Sequence, residues 1–208
     1  YTTLFRSTKT RMIPALGPEG AADLQRQMTL RTLATVDRTA DLIDCESEVR
    51  HPGGTSEQMA EAFGSGRCYV PQGEGDLGER LHRAFADAFT NGMQRAVCIG
   101  SDCPSLSHDL LSEALRRLAD HDLVIGPATD GGYYLIGMNR SHPDLFVGID
   151  WGTQNVLTQT LARAKALGLR VHRLAELSDV DEPAYLEHWQ QVNSGGDAEP
   201  KPWLSVII

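Results

Sequence analysis

Short apolar runs alternate with stretches of helical period along most of this chain, and that alternation narrows the fold more than any other feature. Apolar, β-branched runs fall at residues 67–71, 95–99, 122–127, 132–138 and 169–174, with a poorly patterned one at 39–49. Between them, apolar residues recur at helical spacing over 21–38, 55–63, 79–90, 107–119, 155–167 and 183–192. The run Ala96-Val97-Cys98-Ile99 has no polar alternation, the pattern of a parallel strand covered on both faces. The helix over 107–119 is capped by Ser107 and sets Leu110, Leu111, Ala114, Leu115 and Leu118 on one face. Thr55 or Ser56 opens the helix over 55–63, and Gly168 closes the one over 155–167. Residues 14–20 carry loop or helix-entry chemistry, and 52–54 and 73–78 carry turn and loop chemistry. Strands and helices in this order predict an α/β protein, a three-layer α/β/α sandwich with a mostly parallel sheet.

The 208 residues suit one domain, long enough to bury most of its apolar surface. A net charge of −9 argues against a nucleic-acid groove, which needs clustered Lys and Arg. Small anionic substrates remain compatible with it, because a metal ion and local basic residues reverse the field inside a cleft. Cys45, Cys68, Cys98 and Cys103 form no C-x-x-C pair and no zinc spacing, so they are expected to be reduced thiols of a cytoplasmic protein. No stretch approaches the ~18 apolar residues of a membrane span, and no signal peptide is evident.

Both ends read as foreign to the domain, expected over residues 8–193. Residues 1–7, Tyr1-Thr2-Thr3-Leu4-Phe5-Arg6-Ser7, fit no element of it, and one codon choice for them reproduces a common sequencing adapter. They are therefore expected to be a translated artefact. Residues 194–202 have the Gly, Pro and acidic composition of a flexible linker. Residues 203–208, Trp203-Leu204-Ser205-Val206-Ile207-Ile208, read as the start of a further strand.

The candidate chemistry lies just beyond the apolar runs. Gly100-Ser101-Asp102-Cys103-Pro104 follows the run at 95–99, and Ser178-Asp179-Val180-Asp181-Glu182-Pro183 follows that at 169–174. In an open parallel sheet both motifs fall on the edge where ligands bind. A carboxylate there suits a hard divalent cation that in turn binds phosphates. The alternatives are an Asp102 that satisfies turn N–H groups and an Asp181 or Asp179 that caps the next helix. Thr129-Asp130-Gly131-Gly132-Tyr133-Tyr134 follows a third run. Its glycines let backbone N–H groups approach a ligand, and Asp130 is able to accept hydrogen bonds from sugar or acceptor hydroxyls; the alternative is a plain hairpin turn. The loop from Gly73 to Gly78 lacks the Lys-Ser/Thr of a P-loop. Lys9 and Arg11 are either solvated loop charges or a clamp for a diphosphate. Trp151, after Ile149-Asp150, is a lid, an acceptor platform or a core residue. The seven His residues show neither H-x-E nor H-E-x-x-H spacing, which disfavours catalytic zinc, and Ser101 lacks the G-x-S-x-G elbow.

Taken in order, several segments resemble the rSAM/selenodomain-associated transferase 1 family, a glycosyltransferase-A-like family of the nucleotide-diphospho-sugar transferase superfamily. They are Lys9-Thr10-Arg11-Met12-Ile13-Pro14, the stretch from Leu16 to Ala22, Gly75-Asp76-Leu77-Gly78-Glu79-Arg80, the Asp102 motif, the stretch from Asp130 to Gly137, Ile149-Asp150-Trp151 and Asp179-Val180-Asp181-Glu182-Pro183. The resemblance spans residues 9 to about 189, and so many segments in order argue against chance. It implies a nucleotide-diphospho-sugar transferase (GT-A-like) fold with a nucleotide at the C-terminal edge of the sheet. Lys9 and Arg11 would hold its phosphates, and Asp76 and Gly78 would shape its pocket. Asp102 and Asp181 would hold Mg²⁺ or Mn²⁺. Asp130 or Asp150 would serve as base, and Gly131, Gly132, Tyr133 and Trp151 would face the donor sugar or acceptor. Two departures stand out. The apolar first strand and Pro-x-Pro-Gly loop that open the family are absent, so a truncated domain lacking a central strand is expected. Gly152-Thr153 also stands where Ser-Thr is usual.

The expected activity is a metal-dependent glycosyl transfer from a nucleotide sugar to a small-molecule or lipid-linked acceptor, with no nucleic-acid partner. Residues 204–208 resemble the opening strand of a family-2 glycosyltransferase, which implies a fused second enzyme. The alternatives are a nucleotidylyltransferase on the same scaffold, which would release pyrophosphate from an NTP, and a non-catalytic nucleotide-sugar-binding module.

Overall fold

The computed structural model describes residues 9–180 and 186–193. The 1–7 segment, the 194–202 linker and the 203–208 run lie outside the described residues, as does Asp181. A 3-10 turn at Thr10–Met12 leads into α1 (Ile13–Ala40), which leaves helical geometry at Gly17 (φ 70°, ψ 169°), just before Pro18. Helix therefore begins in the stretch expected to be loop or helix entry, and it runs on into the stretch expected to be strand; only β1 (Glu48–His51) pairs there. The chain continues through α2 (Ser56–Phe63), β2 (Cys68–Pro71), α3 (Leu77–Thr90), β3 (Ala96–Ile99), α4 (His108–Arg117), β4 (Leu123–Pro127) and β5 (Tyr133–Met138). A 3-10 turn at Pro143–Phe146, α5 (Val156–Ala166), β6 (Val171–Arg173) and α6 (Leu186–Asn193) complete it.

Side chains cap the helix starts, Thr55 and Ser107 as expected and Asp76 at a position expected to lie in a loop. Thr55 opens α2 and Asp76 opens α3 with reciprocal capping boxes to Gln58 and Glu79, and Ser107 caps α4 through the Leu110 N–H.

The strands form two sheets. In the larger, the order is β3-β5-β4-β6; β5 is antiparallel to β3 and β4, and β6 is parallel to β4. Three of its four strands thus run one way, with β5 opposed between two of them. Alternating side chains load opposite faces. Val97, Ile99, Val124 and Leu135 meet α1 and α4 through Val36, Leu111, Ala114 and Leu118. Ala96, Cys98, Leu123, Ile125, Ile136 and Met138 meet α3, α5 and the Pro143–Phe146 turn through Phe85, Ala164 and Leu145. These are the three layers of an α/β/α sandwich.

The smaller sheet pairs β1 with β2 in parallel. Val49 and Tyr69 pack with Leu33 of α1 and with Met59, Ala62 and Phe63 around α2. Two ion-pair clusters tie it to the rest. Arg67, just before β2, grips Asp37 of α1 with two bonds of 2.8 and 2.6 Å, and Arg50 of β1 reaches Asp87 of α3 at 2.8 Å. Two cavities of about 490 and 500 Å³ separate the sheets, each lined by β1 on one side and β3 on the other.

Candidate functional site

The site is assembled on the loops that leave β3 and β4. Backbone leaves β3 through Gly100, whose N–H donates to the Tyr134 carbonyl (2.9 Å), and α1 then holds the next turn from the side. Gln25 donates to Ser101 Oγ (3.0 Å) and Arg31 to the Pro104 carbonyl (2.8 Å). Asp102 sits in this turn with its carboxylate 44% exposed. Its carbonyl accepts from the Val180 N–H (2.9 Å), so the Asp179-Val180 segment lies directly beside it.

Lys9 faces the same carboxylate. Its Nζ is 3.7 Å from Asp102 Oδ2, and its side chain is almost wholly buried. Lys9 also adopts left-handed backbone (φ 53°, ψ 40°), the only described non-glycine residue at positive φ. Such strain persists where surroundings over-determine it, and it gathers at binding sites. Arg11 lies two residues on, exposed on the Thr10–Met12 turn.

The third carboxylate comes from the β4–β5 hairpin. Asp130 accepts from the Gly132 N–H (2.8 Å), and the Thr129 N–H donates to Leu177 (3.0 Å), which seats the hairpin against the strand that leads to Asp179. Burial, then the Asp130 charge and then that of Asp102 hold the Asp179 carboxyl above the usual carboxylate range, with Lys9 opposing. Asp102, Asp130 and Asp179 therefore share one edge of the molecule with one lysine. Cys103, buried beneath them, has its thiol pushed up by burial and by Asp102 and Asp179, so it is an inert core thiol. Among the described residues no three His, Cys, Asp or Glu side chains group closely enough to hold a metal ion by themselves.

The 490 Å³ cavity begins at this edge, with Ser101 and Asp102 in its wall, and runs between β1 and α3 past His51, Gln72 and Arg80. His51 Nε2, Arg50 Nη1 and Arg80 Nε are buried without a hydrogen-bond partner among the described residues. Those idle nitrogens on a cavity wall suit a ligand with carbonyl or anionic oxygens. Nothing in the spacing of Arg50, His51 and Arg80 signals this, since Arg80 of α3 meets the two β1 residues only across the cavity, where tertiary contacts such as Arg50 with Asp87 bring β1 to α3.

The remaining expected site residues divide by location. Asp76 is occupied as the N-cap of α3, where it accepts from the Glu79 N–H (2.9 Å). Gly78 and Trp151 touch each other, and the Trp151 ring stacks obliquely on Phe146 with centroids 6.4 Å apart. Asp150 exchanges hydrogen bonds with Gln159, which donates to Asp150 Oδ2 (2.7 Å) and accepts from its N–H (2.8 Å). Tyr133 and Tyr134 pack on opposite faces of the large sheet, and the Tyr134 hydroxyl donates to the Ala175 carbonyl (2.9 Å). Burial drives both phenol pKa values up. Gly131 and Gly132 form the hairpin itself, so the plain-turn and ligand-loop readings apply to the same residues.

Comparison with known proteins yields three findings. The family model described as "Uncharacterized protein conserved in bacteria (DUF2064)" matches residues 35–153. No curated protein sequence matches the chain significantly. A crystal structure of a "putative nucleotide-diphospho-sugar transferase" from Desulfovibrio desulfuricans G20 is similar to it with a TM-score of 0.84 and 32% sequence identity, over 92% of this chain and 83% of that one.

Proposed function

The chain belongs to the DUF2064 family, and from that footing we propose that it is a metal-dependent glycosyltransferase that uses a nucleotide-sugar donor. One observation carries the reading: Asp102, 3.7 Å from the Lys9 ammonium, shares with Asp130 and Asp179 a sheet edge that opens into a cavity of about 490 Å³. The donor set fits Mg²⁺ or Mn²⁺. Its members are hard oxygen ligands, and crowding of like charge around Asp179 is what a divalent cation relieves. Asp102 and Asp179 would hold the ion, joined by Asp181 of the same segment. When bound, it would offset charge on the leaving diphosphate.

The chain's own groups do the rest. Lys9 and Arg11 bind phosphate oxygens, and the cavity from Asp102 to Arg80 takes the nucleoside. The acceptor hydroxyl attacks the anomeric carbon, the bond from that carbon to the diphosphate oxygen breaks, and the hydroxyl proton passes to a carboxylate. Asp130 suits that role better than Asp150, since it shares an edge with Asp102 while Asp150 is engaged by Gln159.

The test is a titration with a panel of nucleotide sugars and NTPs, with and without Mn²⁺, monitoring binding and release of NDP or pyrophosphate. Mn²⁺-dependent binding of a nucleotide sugar with NDP release, both lost in Asp102→Ala, is the expected result. Pyrophosphate from an NTP would replace it with nucleotidylyl transfer, a reading favoured by the extra cations Arg50 and Arg80 on the cavity wall. Binding without turnover would mark a non-catalytic module.

We also propose that the first strand expected from the family resemblance runs between β1 and β3. In support, each of these strands is paired on one side only among the described residues, and both cavities lie between them. A chain that carries such a strand should show slowed amide exchange at Val97 and Ile99, and unchanged exchange there would reject the placement.

A further inference from the structure

Gly78 lies in the first turn of α3, buried, with ordinary helical backbone. A Cβ built there would stand 2.7 to 2.9 Å from Nε1, Cζ2 and Cε2 of Trp151. The indole edge therefore rests on bare helix backbone. Loop Gly73 to Asp76 is fixed just before it, by Arg83 donating to the Gln72 and Glu74 carbonyls and by the Asp76 cap.

Trp151 belongs to a strap that ends on the hairpin of Asp130. Gly131, at φ +90°, has the Gln154 backbone directly against it, and its carbonyl accepts from the Leu157 N–H (2.9 Å). Between the two contacts the strap is stiffened by Thr153 Oγ1 donating to the Asp150 carbonyl (2.8 Å) and by the Asp150–Gln159 exchange. An unbroken chain of contacts thus joins the start of α3 to the turn that carries Asp130, through Gly78, Trp151, Gln154 and Gly131.

We infer that Gly78 and Trp151 are a positioning pair, a latch that sets the Asp130 hairpin relative to the α3 loop. Gly78 is bare in order to seat an indole, and Trp151 acts from the core side of the strap. The consequence for turnover rests on the proposed glycosyl transfer, whereas the latch itself does not.

Gly78→Ala separates this from simpler roles. Alanine is favoured over glycine in helices, so propensity alone would make the change benign or stabilising. The latch instead requires Trp151 to move. Fluorotryptophan labelling gives one ¹⁹F resonance for each of the three tryptophans, with Trp151 assigned by Trp151→Phe. In Gly78→Ala only the Trp151 resonance should shift, and amide exchange across residues 129–132 should quicken. In Gly78→Ala with Trp151→Phe the smaller ring clears the methyl, and exchange at the hairpin should return toward that of the Trp151→Phe single variant. With turnover established, kcat should fall by about 10²-fold while KM for the nucleotide sugar stays near its original value. An unmoved Trp151 resonance, or unchanged hairpin exchange, overturns the latch. A raised KM with kcat intact would make Gly78 a nucleotide contact instead. Absence of turnover in the unsubstituted chain would count against the proposed reaction and leave the resonance and exchange readouts to decide the latch.

Discussion

The two sheets answer the same problem differently. The four-stranded sheet is covered on both faces, and β3 and β4 are buried at every position from Ala96–Ile99 and Leu123–Pro127. The two-stranded sheet buries one apolar cluster against α1 and α2, faces a cleft on the side of β3, and depends on arginines that reach across to Asp37 and Asp87. Apolar burial is non-directional and grows with area, so the large sheet is held redundantly. Ion pairs are few and directional, so the small sheet hangs on named contacts. The carboxylates of the site stand on the first sheet, while β1 of the second supplies one wall of the cavity. The rigid part thereby carries the groups whose geometry matters most, and the part able to yield carries the wall that a ligand must enter past.

Leu135→Ala attacks the large sheet at a fully buried position packed on α4. Loss of transfer energy and the residual cavity should destabilise the chain by about 2–5 kcal/mol. Chemical denaturation should show both sheets lost in one transition, because the small sheet is anchored to α1 and α3, which themselves pack on the large sheet. A smaller and more local effect is expected of Asp37→Ala, which strands Arg67, a side chain only 12% exposed. Removing one partner from so buried a pair costs on the order of 3 kcal/mol where the structure cannot relax; here relaxation is available, since β2 can part from α1. Hydrogen exchange should therefore quicken over Glu48–His51 and Cys68–Pro71 while Leu123–Pro127 keeps its protection. Equal acceleration in both sheets would mean that they unfold as one unit and that the contrast drawn above fails.

What the sequence discloses follows the same division. The runs at Ala96–Ile99, Leu123–Pro127 and Tyr133–Met138 are legible because continuous burial needs continuous apolar residues, whereas α3 begins at Leu77, two residues before the expected helix, because Asp76, expected in a loop, caps it. Asp102 and Asp130 are legible as residues that follow strands. Contacts between distant segments are not. The place of β5 between β3 and β4 depends on pairing that no local pattern encodes. The grip of Arg67 on Asp37 spans thirty residues. The meeting of Gly78 with Trp151 spans more than seventy, so a bare glycine in Asp76-Leu77-Gly78-Glu79 reads equally well as a ligand loop. Residues 39–47 mislead for a further reason: Ala40, Leu42, Ile43 and Cys45 are apolar enough for a strand, yet α1 extends to Ala40 and Leu42 is left exposed.

The smallest effect belongs to the end of the large sheet remote from the site, where Asp122 joins the start of β4 to Arg170 ahead of β6. Arg170 donates to this carboxylate from its backbone N–H (2.9 Å) and from Nε (3.1 Å) and Nη2 (3.3 Å). These bonds hold the Asp122 carboxyl well below the usual carboxylate range. A depressed acid stabilises the fold when ionised, so its contribution is complete above the unfolded-state value of about 3.9 and is lost as pH falls from there toward the folded-state value. Arg170 is 63% exposed, and solvent screens the pair, so the contribution at neutral pH should be modest. Asp122→Asn should then lower the melting temperature slightly at pH 7 and leave it nearly unchanged at the lowest pH at which the protein still melts cooperatively. A loss that grows toward acid would have the opposite sign and would show that Asp122 acts through something other than its charge. A loss at pH 7 as large as that of Leu135→Ala would show that the large sheet, too, hangs on a single ionic contact.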